Sequence, residues 1–323
     1  MLSFRDGQEI INRELANLPL ASDPSELYDP IAYIISIGGK RLRPVLVLMS
    51  CNLFTEDFRA AIKPAIGIEL FHNFTLLHDD IMDGSVIRRN KPTVHHKWNK
   101  NIAILSGDAM LIMSHKLISD CDEHVMKPVL ELFNRTALQV CEGQQFDMNF
   151  EIQDHVSTED YLKMIELKTA VLIAASIGIG AILGYATDIQ AGQVYQFGKN
   201  LGMAFQIRDD YLDVYGEPEI FGKKIGQDIV ANKKTCLLTH SMELAEGAQK
   251  KELLKWLSVK EFDPEEKIAA VRKIYDLLGT EQLTLSTMNE YCRSALLYLD
   301  RLEVQENKKT ELRQLVDTIF KRQ

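Results

Sequence analysis

Apolar residues recur every three to four positions along most of the chain, and long stretches lack the strict alternation of a half-buried strand. This spacing predicts amphipathic helices over Phe4–Asn17 and Ser25–Ile37. The second carries Glu26 and Asp29 early and stops at Gly38-Gly39, a glycine C-terminus. Pro44 suits the first turn of a helix running Val45–Phe54. A long helix is predicted over Ala60–Met82, followed by a basic loop over Gly84–Pro92. Further helices are predicted over Asn101–Ser119, Lys127–Phe150, Thr158–Leu183 and Ile189–Tyr215, where Gly216-Glu217-Pro218 breaks the run. From Thr235 to Gln323 the helical spacing continues without recognisable chemistry.

The 323 residues contain no Pro/Ser-rich linker, no low-complexity run and no repeat at solenoid period, which predicts one mostly α-helical domain over 1–323. Ala170–Ala186 is uncharged over 17 residues, at the bottom of the range for a membrane span. It is rich in Gly and Ala, has no aromatic belt and stands alone. We read it as a helix buried on all sides, so no transmembrane span is expected.

A net charge of −9 argues against general nucleic-acid binding. Five scattered Cys residues without a CxxC predict a reduced, cytoplasmic protein without structural zinc. The opening Met-Leu-Ser-Phe-Arg-Asp has no apolar signal core.

The chemistry is concentrated in a repeated acidic pattern. Asp79-Asp80-Ile81-Met82-Asp83 and Asp209-Asp210-Tyr211-Leu212-Asp213 each sit in an apolar helical stretch. Positions i and i+4 share a helix face, so Asp79 pairs with Asp83 and Asp209 with Asp213. Six carboxylates on two apolar helices suit hard divalent cations, with a polyphosphate completing the shell. The glycine-centred loop of a calcium EF-hand is absent.

Cations cluster beside these motifs. Lys40, Arg41 and Arg43 follow the Gly-Gly turn, and Arg88 and Arg89 follow the first acidic motif. Guanidinium forks match phosphate oxygens, and ammonium groups supply point charges, so these residues are candidates for a second anionic group. Lys168-Thr169 opens the uncharged helix, where a buried Lys needs a partner such as a phosphate. Thr169 and Gln206 can turn oxygen dipoles toward a developing cation; Gln206 lies on the face of Asp209. The loop Gly216–Lys234 combines glycines with Lys223, Lys224, Lys233 and Lys234, as a lid closing over an anion would.

Together these segments resemble the trans-isoprenyl diphosphate synthases, the polyprenyl synthetase family. Gly38-Gly39-Lys40-Arg41-Leu42-Arg43-Pro44 is similar to the family's opening signature. Leu77 through Asp83, with Arg88-Arg89-Asn90-Lys91-Pro92-Thr93, resembles its first aspartate-rich motif with the trailing arginines. Glu142-Gly143-Gln144-Gln145-Phe146-Asp147, Lys168-Thr169, Phe205 through Asp213, and Lys224-Ile225-Gly226-Gln227-Asp228 with Asn232-Lys233-Lys234-Thr235 follow in family order. Asn90 and Asn232 depart from the pattern, standing where many members have Gly.

The resemblance implies an all-α helical bundle of isoprenoid synthase type around a deep central cavity, and a homodimer. It implies condensation of isopentenyl diphosphate with an allylic diphosphate. Asp79, Asp83 and Asp209 would hold Mg2+ on the allylic diphosphate, supported by Asp80, Asp210 and Asp213. Arg88, Lys168, Lys224 and Lys233 would grip the same group. Lys40, Arg43, His72 and Arg89 would bind isopentenyl diphosphate, and Thr169 and Gln206 would steady the allylic cation. Phe74, five residues before Asp79, lies about 7–8 Å along the helix and would floor the growing chain. Small Thr75 would not add to that floor, and Phe71, one turn deeper, would be a second stop. One aromatic at position 74, a small residue at 75 and no insertion between the aspartates resemble the geranylgeranyl type more than the farnesyl type.

Three other readings fit less of the sequence. A His-Asp metal phosphohydrolase using His72, His78 and Asp79 leaves the Gly38–Pro44 segment and the second acidic motif unexplained. A terpene cyclase needs no second diphosphate site. An inactive partner subunit would be expected to have lost an aspartate motif, and both are complete.

Overall fold

The computed structural model describes residues 1–217 and 225–321. The chain forms helices α1 Phe4–Ala16, α2 Ser25–Ser36, α3 Leu42–Phe54, α4 Ile62–Met82, α5 Val94–Lys97, α6 Lys100–Ile118 and α7 Glu123–Glu151. Then come α8 Thr158–Ile165, a π-helical turn Glu166–Ala170, α9 Val171–Leu183 and α10 Asp188–Tyr215. Further helices occupy the remainder, among them Cys236–Leu244, Gly247–Ser258, Pro264–Leu278 and Thr280–Arg301. Among the described residues the only sheet is a two-stranded hairpin, so the expected all-α class is what the chain adopts.

The helices fall into two compact units. The first comprises Met1–Arg135, Ala175–Tyr195 and Leu302–Glu311. Its core includes an aromatic cluster in which the Phe71 ring lies 5.2 Å from Phe133 and 5.6 Å from Phe74. From Ala175 onward the uncharged segment belongs to this unit, and its glycines let it pack closely. A Cβ on Gly180 would overlap the Val47 carbonyl, and one on Gly184 would lie 2.8 Å from the Cys51 carbonyl, so α3 packs backbone to backbone against it. Ser50 Oγ donates to the Ile177 carbonyl at 2.6 Å. The stretch Thr158–Leu183 is long and apolar enough to cross a membrane, yet 78 % of its most apolar window is buried in the protein.

The second unit comprises Thr136–Ala174, Gln196–Arg301 and the segment from Leu312. Its core gathers Val214, Leu237, Leu253, Val271, Ile274 and Tyr275. The helix Pro264–Leu278 is bounded by conventional signals: Asp263 caps the Glu265 and Glu266 amides, Pro264 fills the first turn, and Gly279 closes it at φ 68°.

Three local features differ from the sequence-based expectation. Helix α3 begins at Leu42, because Arg41 adopts a left-handed conformation at its N-cap. The basic loop contains a hairpin, Ile87–Arg88 paired with Lys91–Pro92, whose two turn residues Arg89 and Asn90 have φ of 50° and 62°. Two consecutive positive φ values define a type I′ turn, which favours Gly or Asn. That explains why Asn serves at 90. The run 158–183 is one continuous helical path interrupted by the π turn.

Candidate functional site

In the first unit, α4 ends where its acidic motif lies. Ser85 N donates to the Asp80 carbonyl at 2.9 Å and Gly84 N to that of Ile81 at 3.4 Å, with Gly84 at φ 63°: a Schellman stop. Asp79, Asp80 and Asp83 therefore crowd the negative end of the helix dipole, which disfavours carboxylates unless cations are near. Arg88 is one such cation. Its Nε donates to Asp80 Oδ1 and Oδ2 at 3.0 and 2.9 Å, and its Nη2 to Oδ1 at 2.8 Å. Asp80 is buried beneath this fork, whereas Asp79 is half-buried and Asp83 exposed.

The same unit holds a compact cationic group. Arg43 Nη1 donates to His72 Nε2 at 3.1 Å. Burial, then Arg43, Arg89, Arg88 and Arg41, hold the imidazole well below its usual pKa, so His72 is neutral and carries its proton on Nδ1. Burial lowers Arg43 itself to about 10, partly offset by Glu69. The Arg89 guanidinium lies against Gly39, where a Cβ would come within 2.6 Å of Nη1. Lys40 is exposed on the same Gly-Gly turn. Arg41, grouped with these cations from sequence, is corrected by its geometry. Its side chain turns inward to Glu69 at 2.6 Å and to the Ile35 carbonyl at 2.7 Å, and it is only 6 % exposed. Phe74 is half-buried, 4.7 Å from the His78 ring, and Phe71 is fully packed beneath it. Thr75 Oγ1 donates to the His72 carbonyl at 2.8 Å.

In the second unit, the π turn presents Lys168 and Thr169. It fits because glycines face it: a Cβ on Gly143 would overlap the Lys168 backbone, and one on Gly202 would lie 2.6 Å from Ala170 Cα. Lys168 Nζ donates to Asp147 Oδ2 at 2.5 Å, so the partner this lysine was expected to need is a carboxylate one turn beyond Gly143. Thr169 Oγ1 donates to Gln206 Oε1 at 3.0 Å, and Gln206 Nε2 donates to Asp210 Oδ1 at 2.9 Å. Tyr161 Oη donates to Asp210 Oδ2 at 2.5 Å. Gln206 is thus coupled to Asp210 rather than to Asp209. Burial raises the pKa of Asp210. Asp213 Oδ2 accepts from the Asp228 amide at 2.9 Å, and burial, then Asp228, push its carboxyl up to about 6. Asp209 is half-buried. Lys233 Nζ lies 3.9 Å from Asp228 Oδ1. Burial lowers the Lys233 pKa, and Asp228, Asp210, Asp147 and Asp209 more than offset it, leaving it raised. Lys223 and Lys224, and with them the centre of the expected lid, lie outside the described residues.

The six carboxylates divide into two groups. Asp80, Asp210 and Asp213 are buried and bonded to protein donors, and Asp79, Asp83 and Asp209 are more open. Among the described residues no three His, Cys, Asp or Glu side chains converge on one point. A hard cation such as Mg2+ needs no such cluster, since one or two carboxylates suffice when phosphates and water complete the octahedron. The all-oxygen donor set at a helix C-terminus fits that ion.

Sequence reasoning missed Tyr161, the pairing of Asp147 with Lys168, and the glycine-flanked π turn. Gly143 four residues before Asp147 was the available signal. Gly143→Ala is expected to destabilise the fold by about 1–3 kcal/mol through overpacking. A lowered thermal midpoint checks this, and an unchanged one contradicts it.

The sequence model of the polyprenyl synthetase family matches residues 24–277. The chain is 38 % identical over 222 residues to a geranylgeranyl diphosphate synthase of Methanosarcina mazei, covering 68 % of each protein. It is 34 % identical over 326 positions to a geranylgeranyl diphosphate synthase of Saccharolobus solfataricus, covering 95 % of this chain and 98 % of that one. A crystal structure of a geranylgeranyl pyrophosphate synthase superposes with a TM-score of 0.95 at 41 % identity over the whole of both chains.

Proposed function

The chain belongs to the polyprenyl synthetase family, and on that premise we propose that it is a short-chain trans-prenyltransferase. It condenses isopentenyl diphosphate with allylic diphosphates, and its main product is geranylgeranyl diphosphate. The observation that supports this reading is a pair of unlike charge clusters beside α4. Asp79 and Asp83 stand at its end, suited to metal-bound phosphate, and its His72 meets Arg43 of α3, near Arg89, as a metal-free cationic group would for a second anion. A hydrolase or a one-substrate cyclase has use for the first only.

Prenyl diphosphate synthases as a class use Mg2+. By resemblance to that class, Asp79, Asp83 and Asp209 would hold it, supported by Asp80, Asp210 and Asp213. Bound there, Mg2+ would supply positive charge against the charge that builds on the departing diphosphate. Arg88, Lys168, Lys224 and Lys233 grip that diphosphate. Arg43, Arg89, Lys40 and neutral His72 take isopentenyl diphosphate. As a neutral ring, His72 accepts from Arg43 through Nε2 and offers its Nδ1 proton to an anion. The allylic C–O bond breaks, the isopentenyl double bond attacks the cation, and the released diphosphate removes a proton from the new chain. Thr169 and Gln206 turn oxygen dipoles toward the cation, and Asp210 fixes Gln206 for that task. This charge appears only on the way to the transition state, so stabilising it raises the rate.

Phe74 sets the length of the product from half-buried ground on α4, with Phe71 supporting it from below. Phe74→Ala is expected to extend the main product beyond geranylgeranyl while leaving turnover within a few-fold. Product analysis by reversed-phase chromatography tests this, and an unchanged product with activity retained removes Phe74 as the floor.

The enzyme acts as one synthase domain, a reading supported by a single family match that runs from 24 to 277. It is a soluble cytoplasmic homodimer. The support for pairing is an apolar face of α6, where Ile104, Leu105 and Ile112 are 44, 60 and 70 % exposed.

A further inference from the structure

Lys267 is fully buried, and its charge meets no carboxylate among the described residues. Its Nζ donates to two neutral oxygens, Asn232 Oδ1 at 2.6 Å and the Val230 carbonyl at 3.2 Å, and lies 4.2 Å over the Phe262 ring. A buried cation without a counter-ion is destabilising by itself, so this arrangement calls for a reason other than stability.

The segment it holds supplies one. Asn232 has φ 55°, a left-handed conformation that Asn tolerates better than most L residues but that still suits glycine best. Its Nδ2 donates to the Leu257 carbonyl at 3.0 Å, and its Oδ1 receives Lys267. The side chain is thereby clamped at both ends, in a position where a glycine would turn freely. The next residue is Lys233, whose amide donates to the Asp228 carbonyl at 2.9 Å. Two residues later Thr235 caps the helix Cys236–Leu244, with Oγ1 accepting from Leu238 N at 3.3 Å.

We infer that Lys267 is a positioning residue, whose buried ammonium pins the Asn232 turn and so fixes the backbone from which Lys233 reaches the allylic diphosphate. The inference rests on the reading of Lys233 given above. Lys267 touches no substrate. It acts through Asn232, and its removal frees the turn without removing any phosphate ligand.

The test is a double-mutant cycle on the full-length enzyme, with KM measured separately for the two substrates. Lys233→Ala is expected to raise the KM for the allylic diphosphate. Lys267→Met is expected to raise that same KM roughly 10- to 100-fold, the order of loss from a displaced binding group, with the KM for isopentenyl diphosphate unchanged. In the Lys233→Ala background, Lys267→Met should have no further effect. Asn232→Gly keeps the positive φ but lacks the amide, and should reproduce the Lys267→Met shift; it serves alone if Lys267→Met does not fold. A wild-type allylic KM in Lys267→Met, an equal rise in both KM values, or a full further rise in the Lys233→Ala background overturns the inference. Amide hydrogen exchange separates the two readings. If Lys233→Ala leaves the allylic KM unchanged, the role of Lys233 fails. Faster exchange at Lys233 and Thr235 in Lys267→Met would then still support the anchor, and unchanged exchange would overturn it.

Discussion

Asp79→Ala lowers kcat/KM by roughly 10²- to 10³-fold at saturating Mg2+, the loss typical of removing one preorganised group from a site of developing charge. Asp79 and Asp83 stand one turn apart at the end of α4, the more accessible members of a motif whose third carboxylate is buried against Arg88. With Asp79 gone, Asp83 is the more accessible carboxylate that remains on this helix end, and Mg2+ would be held there less firmly. Stability moves the other way. Removing a negative charge from a helix C-terminus relieves its repulsion with the dipole, so the thermal midpoint should hold or rise slightly. Reduced turnover in an equally stable protein is the signature of a functional carboxylate. Near-normal turnover contradicts the metal assignment, whatever the midpoint does.

Arg41→Met lowers stability by about 3–5 kcal/mol, the loss expected when one partner of a buried ion pair is removed. Arg41 and Glu69 are 2.6 Å apart, with side chains only 4 % and 5 % exposed. Without the guanidinium, Glu69 keeps the Asn73 amide at 3.1 Å and the charges of Arg43 and Arg89 nearby, but loses its direct ion-pair partner. The Ile35 carbonyl loses its side-chain donor and keeps the Gly38 amide at 3.2 Å. The double variant Arg41→Met/Glu69→Leu should recover most of the loss, because two apolar groups need no pairing. Urea unfolding at equilibrium measures both. A single variant with a wild-type midpoint would show that water reaches Glu69.

This pair also shows where sequence reading stops. Lys40, Arg41 and Arg43 lie within four positions of one another and carry the same charge, so spacing gives them one role. A left-handed φ of 52° at Arg41 separates them, sending Arg41 inward while Arg43 meets His72. Backbone sign is invisible when the residue is not glycine. The hairpin at 87–92 was missed for the same reason, because its turn is Arg-Asn rather than Asn-Gly.

Helices were legible wherever one face is apolar over several turns, as in α1, α2 and α10, and their ends agree with the observed ones within two residues. The π turn was not legible, since one extra residue per turn leaves the hydrophobic pattern of 158–183 almost intact. At the site, residue types and spacing singled out the aspartates, Lys168, Thr169 and Gln206 as candidates, and the structure shows the hydrogen bonds that Lys168, Thr169 and Gln206 make. Partner choice was set by tertiary packing. Tyr161 comes from a separate helix, 49 positions before the Asp210 it bonds, and nothing in its own neighbourhood marks it.

The most direct measurement is incubation of the purified protein with Mg2+, isopentenyl diphosphate and, in separate reactions, dimethylallyl, geranyl or farnesyl diphosphate, followed by chain-length analysis. The expected result is condensation from each primer, with geranylgeranyl diphosphate as the common end product and no diphosphate released when isopentenyl diphosphate is omitted. Diphosphate release without isopentenyl diphosphate, or accumulation of farnesyl diphosphate with no further elongation, would contradict it.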